Sequence, residues 1–289
     1  MLTRAHIDEV VRAALDEDAP WGDLTSETLI PADATATAEL RAREAGVFSG
    51  GDVFASAFRL TDPRLEVTLL RAEGEAFARG DVLALVSGPA RGLLTAERVG
   101  LNFVQRMSGI ATLTAAYVAA VAHTPARIVD TRKTTPGLRR IERHAVRSGG
   151  GRNHRFSLSD AVMAKDNHLA VLTARHGSVT AALQAAREAL SHTAHLEVEI
   201  DRLDQLDAVL AAGTGARGVG TIMLDNFTLD DLRTGVERIG GRTIVEASGG
   251  VDLSTVAAIA ETGVDVISVG ALTHSARALD LGLDVRVEG

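Results

Sequence analysis

The chain is 289 residues long, 46% hydrophobic and 24% charged, as in ordinary folded globular proteins, and its net charge of −8 argues against nonspecific binding to nucleic acids or membrane surfaces. It has no cysteine, which excludes disulfides, thiolate nucleophiles and cysteine-based zinc or iron–sulfur sites. No apolar run approaches the roughly 20 residues of a membrane span, and charges interrupt the N-terminus where a secretory signal would lie, so we expect a cytoplasmic protein.

The first third of the chain mixes helix and strand signals. Apolar residues on one stripe between positions 7 and 15 predict a short amphipathic helix. The stretch 34–88 reads as strands broken by turns, two of them joined at Arg79-Gly80-Asp81. A long helix is expected from Thr95, as its N-cap, to Val121, with Gly109 as a weak point. We place a domain boundary near Gly109.

After Pro125, six short apolar runs alternate with helical segments. The runs are ARIVD, AVMAK, HLEVEI, TIMLD, TIVEAS and VDVISVG. Strands that alternate with helices predict a parallel sheet with right-handed crossovers. Six such units fit an incomplete or closed β/α barrel better than an open sheet covered on both sides. The predicted fold class is therefore α/β.

Each of the six runs ends in polar or glycine residues. Because all strands of a parallel barrel open their carboxyl ends on one face, where barrel active sites lie, these residues are expected to meet there. A single polar residue after a strand could be a loop former, but six successive cases favour a functional site. The residues concerned are Asp130-Thr131-Arg132-Lys133, Lys165-Asp166-Asn167-His168, Glu199, Asp225-Asn226, Glu246-Ala247-Ser248-Gly249-Gly250 and Ser268-Val269-Gly270.

Positive charge is concentrated between Arg132 and Arg155. This segment holds eight basic residues and one acid, so it carries +7 while the rest of the chain carries −15. Three of the basic residues recur at helical spacing and could form a solvated helix face, namely Arg139, Arg143 and Arg147. Four others lie in glycine- and threonine-rich loops and indicate an anion site, namely Arg132, Lys133, Arg152 and Arg155.

Two glycine-containing turns, Ser248-Gly249-Gly250 and Gly270-Ala271, each follow a strand and precede a helix. Backbone amides in such turns can close around a phosphate, and the positive end of the next helix favours the anion. Glycine is also the usual turn residue, but the last strands of a barrel commonly hold a phosphate. The string GTGARG at 213–218 is not a dinucleotide fingerprint, because it follows a helix and precedes a strand.

Glu199 and Asp225 end neighbouring predicted strands. Acidic groups beside so many cations are either their ion-pair partners or ligands of Mg²⁺, which takes one or two carboxylates together with phosphate oxygens. His154 and Arg155 follow a glycine run and could bind a carboxylate, although His154 could also be a packing residue of the loop. We interpret His123, His176, His192 and His195 as structural.

Together these residues resemble one family, quinolinate phosphoribosyltransferase, over nearly the whole chain. The most specific motif is DTRKTTPGLRRIERHAVRSGGGRNHRFSLSDAVMAKDNH at 130–168. The remaining matching segments are EDAPWGDLTSE, TAERVGLNFVQRMSGIAT, LEVEIDRLDQLDAV, IMLDN, VEASGGV and DVISVGALTHS. The resemblance implies transfer of a phosphoribosyl group from phosphoribosyl pyrophosphate to quinolinate, with loss of CO2 and Mg²⁺-dependent release of pyrophosphate.

The resemblance also implies an N-terminal α+β sandwich domain at 1–109, joined by the tail 276–289, and a catalytic α/β barrel at 110–275. It implies a homodimer, or a multiple of one, with shared active sites. Carried over to matching positions, Arg132, His154, Arg155 and Lys165 would bind the quinolinate carboxylates. Lys133, Glu199 and Asp225 would bind the donor substrate. The 5-phosphate of the donor would be bound by Ser248, Gly249, Gly250, Gly270 and Ala271. Arg98 would enter the site from the partner subunit.

Three points stay open at this level. A molybdenum-transport-associated paralogue shares much of this sequence and would use a different acceptor, and a non-catalytic phosphate-binding barrel would need neither Glu199 nor Asp225. Arg98 could instead form a local ion pair with Glu97 or Glu75. The residues Phe156-Ser157 and Met163-Ala164 depart from the commoner family residues, which leaves the fine shape of the pocket open.

Overall fold

In the computed structural model, residues 2–215 and 218–288 are described, so Ala216 and Arg217 of the GTGARG string lie outside the described residues. The chain forms two compact units. The first unit comprises residues 2–115, 133–151 and 272–288, and the second comprises 116–132 and 152–271 without the two residues just named. The domain division predicted from the sequence, 1–109 and 110–275, stays a prediction.

Helices and strands are distributed over both units. The described helices are α1 (Arg4–Asp18), α2 (Leu24–Leu29), α3 (Gly51–Thr61), α4 (Ala90–Ala120), α5 (Arg139–Ser148), α6 (Asp166–His176), α7 (Val179–Ala189), α8 (Leu206–Ala211), α9 (Leu229–Ile239), α10 (Val256–Ala260) and α11 (Ala271–His274), with a 3-10 turn at Leu203–Gln205. The described strands are β1 (Thr35–Ala42), β2 (Gly46–Val47), β3 (Glu66–Leu69), β4 (Ala76–Phe77), β5 (Val82–Pro89), β6 (Arg127–Val129), β7 (Val162–Ala164), β8 (Leu196–Ile200), β9 (Thr221–Asp225), β10 (Ile244–Ser248), β11 (Val266–Ser268) and β12 (Leu281–Glu288).

The first unit is built on a four-stranded antiparallel sheet in the order β12-β1-β5-β3. In the central strand β1, alternate residues are buried, because successive side chains of a strand point to opposite faces. Leu40 of β1 lies opposite Leu283 of β12 and Ala84 of β5. The buried face packs in a core that also contains Phe54 and Phe58. Pairing of β12 with β1 brings the segment after the barrel strands back into this sheet.

Two local predictions in the first unit were wrong. The stretch 34–88 contains a helix, α3, as well as strands. Its buried pairs, such as Phe54 and Phe58, recur at four-residue spacing, which is the helical signal that the surrounding strand pattern obscured. The helix predicted from Thr95 begins five residues earlier, at Ala90, and the Thr95 hydroxyl donates to the Arg91 carbonyl inside that helix.

Helix α4 also runs through Gly109 without a break. A Cβ atom at Gly109 would lie 1.9 Å from the carbonyl oxygen of Arg277, so glycine is required there by a close approach of two backbone segments. Although α4 is long, none of the helices in the described part of the chain combines the length and the apolar character of a membrane-spanning helix.

The second unit is a six-stranded sheet in the order β6-β11-β10-β9-β8-β7, and every hydrogen-bonded pair in it is parallel. All six strands predicted from the apolar runs are present. The sheet ends at β6 and β7, which do not pair with each other among the described residues. This confirms the predicted fold class, an α/β chain with an incomplete parallel β/α barrel and an N-terminal α+β sandwich. Because the strands are parallel, their carboxyl ends lie along one edge of the sheet.

Candidate active site

Most of the predicted site residues lie in the second unit, at the carboxyl ends of its strands. Arg132 follows β6, Lys165 follows β7, and Glu199 and Asp225 end β8 and β9. The other members are His154 and Arg155, on the loop before β7, and the turns Ser248–Gly250 and Gly270–Ala271 after β10 and β11. Two predicted residues, Arg98 and Lys133, belong to the first unit.

Lys165 and Glu199 form an ion pair. The register explains it, because Ala164 of β7 lies opposite Val198 of β8 and the next residue of each strand therefore falls side by side. Glu199 is largely buried, while the Lys165 side chain is partly exposed. The structure thus contains the ion pair that the sequence offered as one interpretation of Glu199.

The turn after β10 is built around Gly249. Ser248 lies opposite Asp225 in the sheet, and the backbone N–H of Asn226 donates to the Ser248 carbonyl over 2.8 Å. The Asn226 side-chain amide donates to Asp225 Oδ2 over 2.7 Å. Gly249 has a φ of +90°, and a Cβ atom there would lie 2.9 Å from the Asn226 backbone nitrogen, so a larger residue would be strained in the turn. The turn follows β10 and precedes a helix, as predicted, but α10 begins only at Val256, several residues beyond Gly250.

The loop that carries His154 and Arg155 is fixed by Asp130, which is fully buried at the end of β6. Asp130 accepts hydrogen bonds from the Asn153 side chain at 2.6 Å and from the His154 backbone N–H at 2.8 Å. Arg152 pairs with Val129 as an isolated parallel bridge. The loop is therefore held alongside β6, and its side chains project from a rigid backbone.

Arg155 and Arg132 converge in this region. Burial and the positive charge of Arg132 lower the pKa of Arg155, while the negative charge of Glu197 acts against this decrease. The Arg155 guanidinium also donates to the Ala161 carbonyl at 2.9 Å. Two guanidinium groups and the Lys165 ammonium group thus lie at the strand ends of an otherwise acidic chain. Cations at the strand ends of one sheet suit a substrate with several negative charges.

His154, which the sequence offered as a carboxylate ligand or as a packing residue, forms a group with Glu197 and Glu246. His154 Nε2 lies 3.3 Å from Glu197 Oε2 and 3.4 Å from Glu246 Oε2. Burial lowers the pKa of His154, but the hydrogen bonds to the two carboxylates raise it by more. His154 Nδ1 accepts the Arg155 backbone N–H over 2.7 Å, which requires that Nδ1 carry no proton and so opposes the increase. Both observations place a proton on Nε2.

The ligand atoms of these three side chains lie within 4.8 Å of one another, which is close enough to hold a metal ion. Among the described residues, this is the group that meets that condition. Glu199 and Asp225 do not belong to such a group in that part of the chain. Burial raises the pKa of Glu197, and the charge of Glu246 acts in the same direction. The Oε1 atoms of Glu197 and Glu246 are buried without a hydrogen-bond partner among the described residues.

In the first unit, the loop that begins with Lys133 is held by a buried ion pair. Arg106 Nε donates to Glu142 Oε1 over 2.9 Å, and Glu142 Oε2 accepts the Thr135 backbone N–H over 3.1 Å. The Thr273 hydroxyl donates to the Lys133 carbonyl over 2.7 Å, and Arg106 donates to the Thr273 carbonyl. Lys133 itself is exposed, so its backbone is fixed while its side chain reaches solvent.

Arg98 is exposed on α4. No hydrogen bond or ion pair links it to Glu97 or Glu75 in the described residues, and Glu75 instead pairs with Arg71 at 3.4 Å. The local ion pair offered by the sequence is therefore not formed. Burial raises the pKa of Glu97, and the charge of the neighbouring Arg98 acts against this increase.

Comparison with known proteins gives the family. The model of the quinolinate phosphoribosyl transferase C-terminal domain matches residues 110–284, and that of the N-terminal domain matches residues 23–108. The chain belongs to the quinolinate phosphoribosyl transferase family. Relatives include a probable nicotinate-nucleotide pyrophosphorylase [carboxylating] of Bacillus subtilis, 42% identical over 93% of this chain and 90% of that protein. The nicotinate-nucleotide pyrophosphorylase [carboxylating] of Mycobacterium leprae is 46% identical over 96% of both chains.

Solved structures of the family agree along the whole chain. NadC from Streptococcus pyogenes is 40% identical, covers 100% of this chain and 99% of its own, and superposes with a TM-score of 0.92. The nicotinate-nucleotide pyrophosphorylase from Francisella tularensis is 35% identical, covers 99% of this chain and 98% of its own, and gives a TM-score of 0.90. These names do not favour the molybdenum-associated alternative.

Sequence reasoning listed Glu246 among the strand-end residues and assigned no role of their own to Glu246, Glu197, Arg106 or Glu142. Glu246 stands inside the apolar run TIVEAS, and Glu197 alternates with the buried residues of LEVEI. A carboxylate within a hydrophobic strand was a visible signal of a buried partner. Arg106 and Glu142 gave no comparable signal, because each lies on a helix where charged residues are ordinary.

Proposed function

We propose that the chain catalyses transfer of a phosphoribosyl group from phosphoribosyl pyrophosphate to quinolinate, with decarboxylation, in NAD biosynthesis. The products are nicotinate mononucleotide, pyrophosphate and CO2. The observation that carries this proposal is that Arg132, Arg155 and Lys165 lie at or beside the strand ends of one parallel sheet in an acidic chain, with Arg132 near enough to Arg155 for its charge to act there. Membership of the family, whose relatives are named for this activity, supports it.

The acceptor is assigned to the cationic side of the site. Quinolinate is a dianion, and its two neighbouring carboxylates suit a pair of guanidinium groups, which bind carboxylates through parallel hydrogen bonds. Arg132 and Arg155 supply these groups. When the acceptor binds, Lys165 exchanges its ion pair with Glu199 for an ion pair with an acceptor carboxylate. Because Lys165 is already paired in the free protein, little free energy is spent on removing water from an unpaired ammonium group.

The donor is assigned to the neighbouring strand ends. The 5-phosphate binds the backbone of the turns Ser248–Gly250 and Gly270–Ala271, where a side chain at Gly249 would obstruct the backbone. Glu199 and Asp225 face the ribose hydroxyls and the metal. Lys133 neutralises the pyrophosphate.

Little acid–base chemistry is required of the protein. The ring nitrogen attacks carbon 1 of the ribose as the bond from that carbon to the pyrophosphate oxygen breaks. The product ring is a positively charged pyridinium, which accepts the electron pair left when the adjacent carboxylate departs as CO2, and solvent then supplies a proton to that carbon. The protein contributes by binding both anions in reacting geometry and by offsetting their mutual repulsion.

We propose Mg²⁺ as the metal, held by Glu199 and Asp225 together with pyrophosphate oxygens. Two carboxylates on adjacent strands suit an ion that takes one or two carboxylates and completes its shell with substrate and water. The ion would neutralise the leaving pyrophosphate. Because Glu199 is ion-paired with Lys165 and Asp225 is hydrogen-bonded to Asn226, we expect weak binding to the free protein. Tight binding of Mg²⁺ alone in isothermal titration calorimetry would count against this assignment.

We propose a homodimer, or a multiple of one, in which Arg98 serves the site of the partner subunit. The support is that Arg98 is an exposed cation without the local ion pair that its neighbours Glu97 and Glu75 could offer. A charge of this kind is available to a substrate bound by another chain.

The test of the activity is direct. Purified protein is incubated with phosphoribosyl pyrophosphate, Mg²⁺ and quinolinate labelled with 13C in its 2-carboxylate. We expect nicotinate mononucleotide by mass spectrometry, with equal amounts of pyrophosphate and labelled CO2. Nicotinate, which lacks the second carboxylate, is the matched control and should react far more slowly. Binding of phosphoribosyl pyrophosphate without turnover of quinolinate would instead indicate a non-catalytic barrel.

A further inference from the structure

The segment 133–138, which we name the Lys133 loop, lies between β6 and α5. Its first two residues are each held by a side chain of the first unit. The Lys133 carbonyl accepts the Thr273 hydroxyl over 2.7 Å, and the Thr134 hydroxyl accepts a hydrogen bond from Arg139 Nε over 3.0 Å. Thr273 is fully buried, so solvent does not compete for this bond. The backbone at Lys133 is therefore fixed from within the protein.

The next residue, Thr135, is held by both members of the buried ion pair between Arg106 and Glu142. Glu142 is fully buried, and its Oε2 accepts the Thr135 backbone N–H over 3.1 Å. Arg106 Nη2 donates to the Thr135 hydroxyl over 3.0 Å and to the Thr273 carbonyl over 2.9 Å. One guanidinium group thus holds Thr135 and also the residue whose hydroxyl holds Lys133. Helices α4, α5 and α11 supply these contacts together.

A pair of charges does here what an apolar pair could not. Removing two charges from water costs free energy, so a well-packed apolar pair often stabilises a fold as well as a buried ion pair does. Apolar side chains at Arg106 and Glu142 would leave the Thr135 N–H and the Thr273 carbonyl without these partners, and unpaired polar groups of the backbone are costly. The ion pair therefore fits a role in fixing the loop backbone.

A fixed backbone matters most for Lys133, because its side chain is exposed and its four-carbon stem is flexible. The position of the ammonium group varies with the stem and with any movement of the backbone. When the backbone is fixed, only the stem must be ordered as an anion binds. Less of the binding energy is then spent on ordering the protein.

We propose, resting on the function proposed above, that Arg106, Glu142 and Thr273 position Lys133 for the pyrophosphate group of the donor. They act through the backbone of the Lys133 loop and not by binding substrate, so they are positioning residues. Their effect should be confined to the pyrophosphate group. Binding of the 5-phosphate and of the acceptor should not depend on them.

Thr273 offers the most selective substitution. Its hydroxyl donates to the Lys133 carbonyl, whereas its contact with Arg106 is made by its own backbone carbonyl and survives a change of side chain. Thr273→Val removes the hydroxyl at nearly constant shape, and Thr273→Ser keeps it. We expect Thr273→Val to raise the KM for phosphoribosyl pyrophosphate about three- to tenfold, as for loss of one hydrogen bond, and Thr273→Ser to stay within about twofold of the wild type. An unchanged KM in Thr273→Val, or equal impairment in both variants, would overturn the proposal.

Two inhibitors separate the ends of the donor. Inorganic pyrophosphate reports on the group assigned to Lys133, and ribose 5-phosphate reports on the 5-phosphate turns. In Thr273→Val, the inhibition constant of pyrophosphate should rise by the same factor as the KM for phosphoribosyl pyrophosphate. The inhibition constant of ribose 5-phosphate and the KM for quinolinate should stay within about twofold of the wild type. An equal rise for both inhibitors would mean a merely structural role, and the proposal would fail.

A double-mutant cycle tests whether Thr273 acts through Lys133. Lys133→Ala alone should raise the KM for phosphoribosyl pyrophosphate at least about tenfold, because a charged hydrogen bond is lost. Adding Thr273→Val to Lys133→Ala should then change this KM by less than about twofold, since two residues that act as one unit are not additive. If Thr273→Val has its full effect in the absence of the lysine, it does not act through Lys133.

Arg106→Lys tests the other end of the network. It keeps a positive charge beside Glu142, but a single ammonium group cannot reproduce the planar fork that reaches Glu142, Thr135 and Thr273 together. We expect the KM for phosphoribosyl pyrophosphate to rise at least about threefold, with the same selectivity for pyrophosphate over ribose 5-phosphate. A folded Arg106→Lys variant with wild-type constants would contradict the role of Arg106.

The matched control is Thr262→Val. Thr262 is also a buried threonine whose hydroxyl donates to a backbone carbonyl over 2.7 Å, in this case that of Ile259. This variant should leave both KM values and both inhibition constants unchanged. Thermal unfolding of each variant confirms that it is folded. A wild-type protein that forms no nicotinate mononucleotide would contradict the proposed function and this proposal with it, whereas normal wild-type turnover with unselective variants contradicts only the positioning role.

Discussion

Each unit contains a carboxylate beside a histidine, but the two surroundings differ. In the first unit, Glu73 is surrounded by donors on both oxygens. Its partners are the backbone N–H groups of Gly50 and Gly51, the hydroxyls of Ser49 and Ser148, and His144 Nε2, all between 2.8 and 3.0 Å. Although burial acts in the opposite direction, these hydrogen bonds and the His144 charge lower the pKa of Glu73 to about 2. The backbone donors lie at the start of α3, where a negative charge is favourable.

In the second unit, the pKa of Glu197 is raised by burial, and the Oε1 atoms of Glu197 and Glu246 are buried without a partner among the described residues. A satisfied carboxylate stabilises the fold, whereas an incompletely satisfied one costs free energy. Proteins commonly keep this free-energy cost at sites where the charged group has a functional role. The contrast therefore separates a carboxylate whose oxygens are fully hydrogen-bonded from two carboxylates that each keep one oxygen without a partner among the described residues.

The largest expected effect concerns Arg98 and tests whether the first unit contributes to activity as well as to the fold. Arg98→Ala and Lys165→Ala homodimers should each be nearly inactive if Arg98 serves the neighbouring site. After subunit exchange, a mixed dimer has one site with neither defect, so a mixture should regain up to about half of the wild-type activity per heterodimer, because independent sites contribute additively. If Arg98 serves its own subunit, each site of a mixed dimer keeps one defect. Absence of recovery, with exchange verified by native mass spectrometry, would rule out the shared site.

A large effect on stability is expected from Glu142→Ala. This change leaves the Arg106 guanidinium without its fully buried partner and removes the acceptor of the Thr135 N–H. We expect the free energy of unfolding to fall by about 3–5 kcal/mol, as when one member of a buried ion pair is removed. Urea denaturation measures it, with the exposed Glu188→Ala as a control that should change it by less than about 0.5 kcal/mol. A loss below 1 kcal/mol would show that the pair does not hold the Lys133 loop.

Arg155→Ala should have the opposite profile. The variant should keep its unfolding free energy to within about 1 kcal/mol and lose at least about tenfold in kcat/KM for quinolinate, because a charged hydrogen bond contributes roughly 1.5–3 kcal/mol. Steady-state kinetics beside urea denaturation gives both values. Wild-type kinetics in a folded variant would remove Arg155 from the acceptor site.

The smallest effect concerns Glu73 and pH. A carboxylate with a lowered pKa stabilises the fold above its unfolded pKa of about 4.3, and this stabilisation is lost as the pH falls towards 2. Because a third of the side chain is exposed, we expect Glu73→Gln to cost only about 1–2 kcal/mol at pH 7. The difference from the wild type should shrink between about pH 4.5 and 2. A difference that does not depend on pH would mean that shape, and not charge, matters at Glu73.

The sequence predicted one unit better than the other. All six barrel strands were found, because each is a short apolar run with polar residues at its end. Helix α3 was missed since its apolar residues lie among genuine strands, and Thr95 resembled an N-cap although the helix already existed before it. The group formed by His154, Glu197 and Glu246 could not be assembled from sequence, because nothing local connects His154 with Glu246. Such contacts depend on which strands become neighbours, and strand order is a tertiary property.

The pairing of β12 with β1 has a consequence for the order in which the protein forms on the ribosome. All six strands of the second unit lie between these two partners in the chain. The barrel sequence is therefore synthesised before the strand that completes the first sheet. Until β12 appears, β1 presents an unpaired edge of eight residues, the kind of surface that promotes association between nascent chains. Variants that weaken β12 are thus expected to aggregate during synthesis more than their equilibrium stability alone would indicate.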